Sequence, residues 1–197
     1  MGAAEVRTVR NTNADRNRDR ILNAARRVLN QRGMEFDIRD VANRAQVGLG
    51  TIYRHFESKE ILVGVLLDTM ATDFEEIVSR AESISDARES LRSFASDLWA
   101  FSDRYGRSYD LRKAIVADRS YVHRGRRAWR RVEAIIRQAS EAGVVEQSYE
   151  PAFVCRIMIG IVNTSLPDES LGTGLASHEL LSSVLFKAIA PDSTPRP

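Results

Sequence analysis

The 197-residue sequence predicts an all-α protein with a basic N-terminal part and a larger C-terminal part. From about residue 14 onward, apolar residues recur at the three- and four-residue spacing of amphipathic helices. No segment shows the sustained two-residue alternation and hairpin turn that indicate paired strands. Residues 1–60 carry 12 Lys or Arg against 8 Asp or Glu, whereas residues 61–197 carry 17 against 19. This asymmetry is expected when only the N-terminal part meets phosphates.

About nine helices are predicted. Residues 1–14 lack hydrophobic periodicity and are expected to form a flexible arm. In chain order, helices are predicted at about 15–32, in a short segment after Asp37, and at about 49–56, 58–81, 86–105, 110–118, 121–142, 151–165 and 177–189.

Residues with known capping preferences mark several of the helix ends. Gly33 is expected to end the first helix, and Asp37 and Ser58 are expected to cap the second and fourth helices at their N-termini. The remaining marks are a capping box in Asp86-x-x-Glu89, a terminating glycine in Gly143, and prolines at either end of a late helix, Pro151 and Pro167.

The composition excludes several classes of protein. No apolar run reaches the roughly 18–20 residues of a membrane span, and the N-terminus lacks the apolar segment of a secretory signal. Cys155 is the only cysteine, so an internal disulfide is excluded. A cytoplasmic location without a membrane partner is predicted.

The sequence predicts no catalytic site, no metal site and no cofactor. The three histidines, His55, His123 and His178, are scattered along the chain. Cys155 falls on an apolar helix with no His or Asp at productive spacing, and no metal-ligand or phosphate-loop motif is present. An enzyme is therefore the disfavoured alternative.

The most informative segment runs from Phe36 to Leu62. Two short helices separated by Gln46-Val47-Gly48 predict a helix-turn-helix, in which Gly48 is expected to permit the sharp reversal. The second helix of such a unit lies in the major groove of DNA. The residue types suited to that groove or to its phosphates are Gly50, Thr51, Tyr53, His55 and Lys59.

The run V-x-x-G-T-I-Y-x-H-F-x-x-K-x-x-L, from Val47 to Leu62, resembles the DNA-binding signature of the tetracycline-repressor (TetR) family. The resemblance covers about residues 15–65. It implies operator-backbone contacts for Thr51, Tyr53, His55 and Lys59. It also places Arg39 where some members reach a base edge.

The resemblance assigns groove-facing positions to Leu49 and Gly50 as well. Gly48 departs from the usual Ser or Ala of the family, and Leu49 replaces a residue that is more often polar. These departures shift the expected readout toward backbone contacts and thymine methyl groups. The basic N-terminal arm is either a further DNA contact or a disordered tail with incidental charge.

The family architecture implies a DNA-binding domain at 15–60, a ligand-binding and dimerisation domain at 61–192 and a tail at 193–197. In the second domain, aromatic residues cluster on the helices between about 86 and 142. They suit either the protein core or an apolar pocket for a largely hydrophobic effector. These pocket candidates are Phe94, Leu98, Trp99, Phe101, Tyr105, Tyr109, Tyr121 and Trp129.

A cluster of basic residues lies on both sides of Trp129 in the sequence. Its members fit either a solvated helix face or the mouth of an anion site. They are His123, Arg124, Arg126, Arg127, Arg130 and Arg131.

The last two predicted helices are rich in aliphatic residues. In the family, the corresponding pair forms a four-helix bundle with its twofold mate, so a homodimer is implied. The predicted interface residues are Val154, Ile157, Met158, Ile161, Leu181, Val184 and Leu185.

The predicted function is a repressor that leaves a palindromic operator when a small effector shifts the spacing of its two DNA-binding domains. An activator, or a DNA binder that needs no ligand, is the alternative on the same fold.

Overall fold

The computed structural model describes residues 13–105, 119–164 and 178–191. Within these ranges the chain forms α-helices, one turn of 3₁₀-helix at Gly33–Glu35 and no strand. The helices are α1 (Asn13–Arg32), α2 (Ile38–Ala45), α3 (Leu49–His55), α4 (Lys59–Glu82), α5 (Ala87–Tyr105), α6 (Arg119–Glu141), α7 (Pro151–Thr164) and α8 (His178–Ile189).

The predicted all-α fold is confirmed. The helix predicted at 110–118 lies outside the described residues, as do residues 1–12 of the predicted arm and the tail at 193–197. Among the described helices, none has the combination of length and apolar character that a membrane crossing requires.

The chain divides into two compact units, and the division falls after Leu66, within α4. The N-terminal unit contains α1, α2, α3 and the first two turns of α4. One side of each helix is apolar at helical spacing, and these sides form a small core. The buried core residues of this unit are Ile21, Ala24, Ala25, Val28, Leu29, Phe36, Val41, Ala42, Ala45, Ile52, Phe56, Leu62, Val63 and Leu66.

The turn between α2 and α3 is made differently from the sequence prediction. Gln46, with φ 54°, takes the left-handed conformation after α2, whereas Gly48 has an ordinary φ of −71°. The amide of Val47 donates to the Ala42 carbonyl at 3.1 Å, which closes the end of the helix. The assignment of the reversal to Gly48 was therefore wrong, because the helix end places the left-handed residue two positions earlier.

Side-chain caps define the starts of α2 and α4. Asp37 and Asp40 form a reciprocal capping box at the start of α2. The Ser58 hydroxyl accepts a hydrogen bond from the amide of Ile61 at 3.2 Å, as predicted for the cap of α4. These bonds satisfy amides that a helix start leaves without partners, and they fix where each helix enters the unit.

The C-terminal unit contains the rest of α4 together with α5, α6, α7 and α8. Gly143, with φ 69°, takes the left-handed conformation after α6, as its predicted terminating role requires. The following segment is fastened to the end of α8, since the Glu146 amide donates to the Ile189 carbonyl at 2.8 Å. The fully buried large side chains of this unit include Phe94, Leu91, Ile136, Met158, Leu185 and Ile189.

Candidate nucleic-acid interface

The short helix α3 has one buried side and one exposed side. Ile52, within α3, and Phe56, directly after it, are buried in the core of the N-terminal unit. On the opposite side, Leu49 is 37% exposed and Tyr53 is 50% exposed. They are one helical turn apart, and the exposed Gly50 lies between them in sequence. An apolar and an aromatic side chain are thus presented outward from a helix that the core holds in place.

The other predicted DNA-contact residues differ in exposure. Thr51 and His55 are half-buried, whereas Arg39, on α2, is exposed. The guanidinium groups of Arg39 and Arg54 make no hydrogen bond or ion pair within the described part of the chain, so both are available to an anionic partner. The structure therefore groups Leu49, Gly50 and Tyr53 on one exposed side of α3.

Lys59 is tied to its own unit. Its Nζ donates to the carbonyls of Met34, at 2.6 Å, and Phe36, at 2.7 Å. The same nitrogen lies 4.4 Å from the centroid of the Phe36 ring, a cation–π distance. Two of the three ammonium hydrogens thus fasten the start of α4 to the segment before α2. The DNA contact predicted for Lys59 stays a prediction. Only the third ammonium hydrogen is left to bind a phosphate oxygen.

Two arginines near the start of α1, Arg18 and Arg20, contact the rest of the N-terminal unit. Arg20 Nη2 donates to the carbonyl of Ala45, the last residue of α2, at 2.7 Å. The Arg18 guanidinium carbon lies 5.5 Å from the centroid of the Phe56 ring. Both lie in α1, which begins at Asn13, two residues earlier than predicted. Arg20 acts here as a side-chain cap for α2, a role the sequence did not indicate.

In the C-terminal unit, the predicted pocket aromatics gather around Phe74 of α4. The Phe74 ring centroid lies 6.4 Å from that of Phe94, 5.5 Å from that of Phe101 and 5.1 Å from that of Trp129. Phe101 in turn lies 4.8 Å from Tyr105. Phe74 was not among the pocket candidates, although its place in the apolar stripe of α4 already directed it inward.

The candidates are buried to different degrees. Phe94, Leu98, Trp99 and Tyr105 are buried, whereas Phe101 and Trp129 are partly buried against the same core. Tyr121 is half-buried, and Tyr109 lies outside the described residues. The Tyr105 hydroxyl donates to Asp73 at 2.6 Å, and Arg104 binds the same carboxylate at 2.8 Å. A ligand-binding role for this cluster stays a prediction.

Part of the basic cluster on α6 is paired with carboxylates of α4. Arg124 donates to both carboxylate oxygens of Glu75 at 3.1 Å, and Arg131 makes the equivalent bidentate pair with Glu82. The Arg124 hydrogen bond lowers the pKa of Glu75, and that of Arg131 lowers the pKa of Glu82. Arg127, at 75% side-chain exposure, lies 4.0 Å from Glu75. Arg124 and Arg131 therefore hold α4 rather than forming an anion site or a solvated face.

The structure corrects part of the predicted dimer interface. Val154, Met158 and Leu185 are buried in the core of their own unit. Since they retain almost no surface to bury against a second chain, we reassign them to the protomer core. Ile157 and Ile161 are half-buried, and Val184 is 48% exposed. The side chain of Leu181 lies outside the described residues.

Exposed apolar surface remains on these helices at a position that the sequence analysis missed. Phe153 is 44% exposed and packs edge-on against Tyr149, with centroids 5.7 Å apart. On α7 it lies one turn before Ile157 and two turns before Ile161, so the three share a side of the helix. Their four-residue spacing in the sequence already indicated that they share one side of the helix.

The surroundings of Cys155 suppress its reactivity. Burial, followed by the nearby Glu133 carboxylate, raises the pKa of the Cys155 thiol to about 12, so the thiol stays protonated at neutral pH and is a poor nucleophile. Within the described ranges, no three or more His, Cys, Asp or Glu side chains gather as a metal site would require.

Residues 21–66 match the family model described as bacterial regulatory proteins, tetR family. A curated relative is the HTH-type transcriptional repressor KstR of Rhodococcus jostii (strain RHA1), which is 42% identical over 67 residues. That match covers 34% of this chain and 30% of the relative. The chain thus aligns with less than a third of the relative's length.

Two solved structures extend the likeness to most of the chain. AibR in complex with isovaleryl coenzyme A and operator DNA has a TM-score of 0.67 at 20% identity, covering 89% of this chain and 98% of that one. The TetR-like regulator LfrR from Mycobacterium smegmatis, in complex with proflavine, has a TM-score of 0.66 at 20% identity, covering 88% and 94%. At such low identity these likenesses show a shared fold.

Proposed function

We propose that this chain is a homodimeric transcriptional repressor that a small effector releases from a palindromic operator. The match of residues 21–66 to the model of bacterial regulatory proteins, tetR family, supports this proposal. Residues 15–60 bind DNA in this proposal, and residues 61–192 bind the effector and the second protomer. The exposed side of α3, with Leu49 and Tyr53, is the observation that carries the DNA-binding part.

The N-terminal unit has the properties that a groove-reading unit needs. Its core holds α3 through Ile52 and Phe56, so the exposed side keeps a fixed orientation. Arg39 and Arg54 supply unpaired positive charge on the same unit. An arginine such as Arg39 can pair bidentately with guanine, which contributes about 1–3 kcal/mol of discrimination between bases.

A dimer follows from the way such a unit reads DNA. Two recognition helices reach successive major grooves only when a twofold axis relates them. Phe153, Ile157, Ile161 and Val184 offer apolar surface on α7 and α8 for the contact between protomers. KstR is named as a repressor, which favours repression over activation for this chain as well.

Effector binding is assigned to the aromatic cluster of the C-terminal unit. Trp129 and Phe101 retain some exposure at its edge, so a largely hydrophobic ligand has aromatic faces to contact. The effector acts by binding one spacing of the two DNA-binding domains better than the other, and α4 is the chain segment that connects the two units. A cytoplasmic location, where the buried Cys155 stays reduced, is part of the proposal.

The DNA-binding part is tested by selecting duplexes from a random pool with the full-length protein and measuring affinity for the recovered sequence across a salt series. We expect selective nanomolar binding that weakens as salt rises. Tyr53→Ala and Arg39→Ala should weaken it at least tenfold. Arg137→Ala, which removes an exposed arginine on α6, is the matched control and should change affinity less than twofold.

Selection is repeated with cell extract present, so that a protein that needs a ligand in order to bind is also detected. Failure to recover any sequence in both conditions would contradict the repressor proposal.

Effector binding can be followed by tryptophan fluorescence. Both tryptophans of the chain, Trp99 and Trp129, belong to the core that contains the aromatic cluster. Isovaleryl coenzyme A and proflavine are suitable first probes. A compound that changes tryptophan fluorescence should weaken operator binding by about 5- to 150-fold, the usual range of coupling between two sites. If such a compound binds at saturation and leaves operator affinity unchanged, the release mechanism is wrong.

A further inference from the structure

Gly50 lies inside α3 although the fold of the unit does not require a glycine there. A Cβ atom built at this position has no atom within 4 Å. Its φ is not in the left-handed region, which among the described glycines only Gly33 and Gly143 occupy. Glycine is less favourable than alanine in a helix because it loses more backbone freedom on folding. A helix of 7 residues is weakened by it without any visible gain inside the protein.

Gly48, two residues before Gly50, leaves the N-terminal end of α3 without a side-chain cap. It is the N-cap of the helix, in extended backbone, and it provides no side-chain cap. It also has no atom within 4 Å of a built Cβ. The contrast with α2 is direct, since Asp37 and Asp40 give that helix a full capping box. The chain thus caps one helix with side chains and leaves the next without them.

The two glycines, Gly48 and Gly50, lie next to the outward-facing apolar side chains of the unit. Leu49 stands between the two glycines, and Tyr53 follows one turn later. A flat surface that approaches this side of α3 meets backbone at Gly50 where any other residue would present a Cβ. Glycine is commonly placed where a ligand or another backbone must approach closely.

We propose that Gly50 determines how closely α3 approaches DNA, and that this approach allows Leu49 to read thymine methyl groups in the major groove. This inference rests on the proposed function and adds the chemistry of its readout. Each base pair with thymine presents a C5-methyl group in the major groove, and an apolar side chain recognises it by contact. A methyl group at Gly50 would hold α3 away from the groove and withdraw Leu49 from that contact.

The first test compares Gly50→Ala with Gly64→Ala, on duplexes selected from a random pool by the parent protein. Gly64 lies in α4 and also has no atom within 4 Å of a built Cβ, so it is a matched control. Both substitutions should raise the thermal unfolding midpoint, because alanine favours the helix. Gly50→Ala should nevertheless weaken binding at least tenfold, whereas Gly64→Ala should change it less than twofold. Equal affinity for parent and Gly50→Ala would overturn the inference.

The second test replaces each thymine of the selected duplex, in turn, by deoxyuridine, which lacks the methyl group. At one or more positions in each half-site, the parent should bind about fourfold more weakly, the effect of one buried methyl group. Leu49→Ala and Gly50→Ala should both be insensitive to the same replacement. A parent that is insensitive at every position, or a Leu49→Ala variant as sensitive as the parent, would overturn the inference. A parent that selects no sequence at all would instead contradict the proposed function itself.

Discussion

At the scale of single residues, Lys59 has a structural role that its place in the DNA-binding signature does not reveal. The ammonium group donates to two carbonyls of the segment before α2 and lies over the Phe36 ring. The carbonyl groups of Met34 and Phe36 would lose a charged donor if the lysine were replaced. The residue therefore links the start of α4 to the rest of the N-terminal unit.

Lys59→Met, which keeps an apolar stem of similar length, should lower the free energy of unfolding by about 1–2 kcal/mol, since hydrogen bonds to charged groups are stronger than neutral ones. Urea denaturation of the full-length protein measures this. Arg27→Met, which removes an exposed cation from α1, is the control and should have little effect. If Lys59→Met keeps the parent's stability and only reduces the salt dependence of operator binding, Lys59 is a phosphate ligand and not a structural link.

At the scale of helices, α4 and α6 are joined by two arginine–glutamate pairs of equal spacing. Glu75 and Glu82 are seven residues apart on α4, and their partners Arg124 and Arg131 are seven residues apart on α6. The later glutamate pairs with the later arginine, so the two helices run in the same direction along this contact. Seven residues span two helical turns, which places both pairs on one side of each helix.

These pairs make the free energy of unfolding decrease at acidic pH. Because the arginines lower the pKa of Glu75 and Glu82 in the folded protein, the pairs stabilise it fully above the unfolded pKa, near 4.5. The stabilisation is lost as the pH falls below that value through the lowered folded pKa. Glu75→Gln should therefore flatten the fall in stability between about pH 5 and pH 3. Glu76→Gln, an exposed neighbour on the same helix, is the control, and chemical denaturation across this range is the measurement. An equal pH dependence for Glu75→Gln and the parent would contradict the role given to the pair.

The helices also mark what the sequence could predict. Periodicity and capping residues placed helix ends such as those at Ser58 and Gly143 correctly, because these signals act within one or two turns of the chain. The partners of Arg124 and Arg131 were not predicted, since they are 49 residues away in sequence. The turn at Gln46 was missed for a different reason: glutamine carries no local preference for the left-handed conformation, so only the packed unit selects it. In the candidate site, the signature predicted DNA contacts, which stay predictions, and it did not show that Lys59 also serves the fold.

At the scale of the whole molecule, the proposed repressor depends on a second copy of the chain. The structure distinguishes buried from exposed residues on α7 and α8, so the proposed dimer interface can be restricted to the exposed ones. Phe153 and Val184 keep nearly half of their surface exposed, whereas Met158 and Leu185 have almost none. Substitutions at the first two positions therefore alter the surface with little effect on the core of the protomer.

Phe153→Glu and Val184→Glu should each convert a dimer into a monomer of 22.1 kDa, because a buried, unpaired carboxylate at the contact opposes association. Light scattering after size exclusion gives the mass, and the thermal unfolding of the variant shows whether the protomer stays folded. Operator binding should weaken together with the loss of the dimer, since each protomer then reads a single half-site. Arg137→Glu, on α6, keeps the assembly intact if the contact lies on α7 and α8. A parent protein of 22.1 kDa in solution would contradict the dimer, and a folded, still dimeric Phe153→Glu/Val184→Glu double variant would move the contact to another surface.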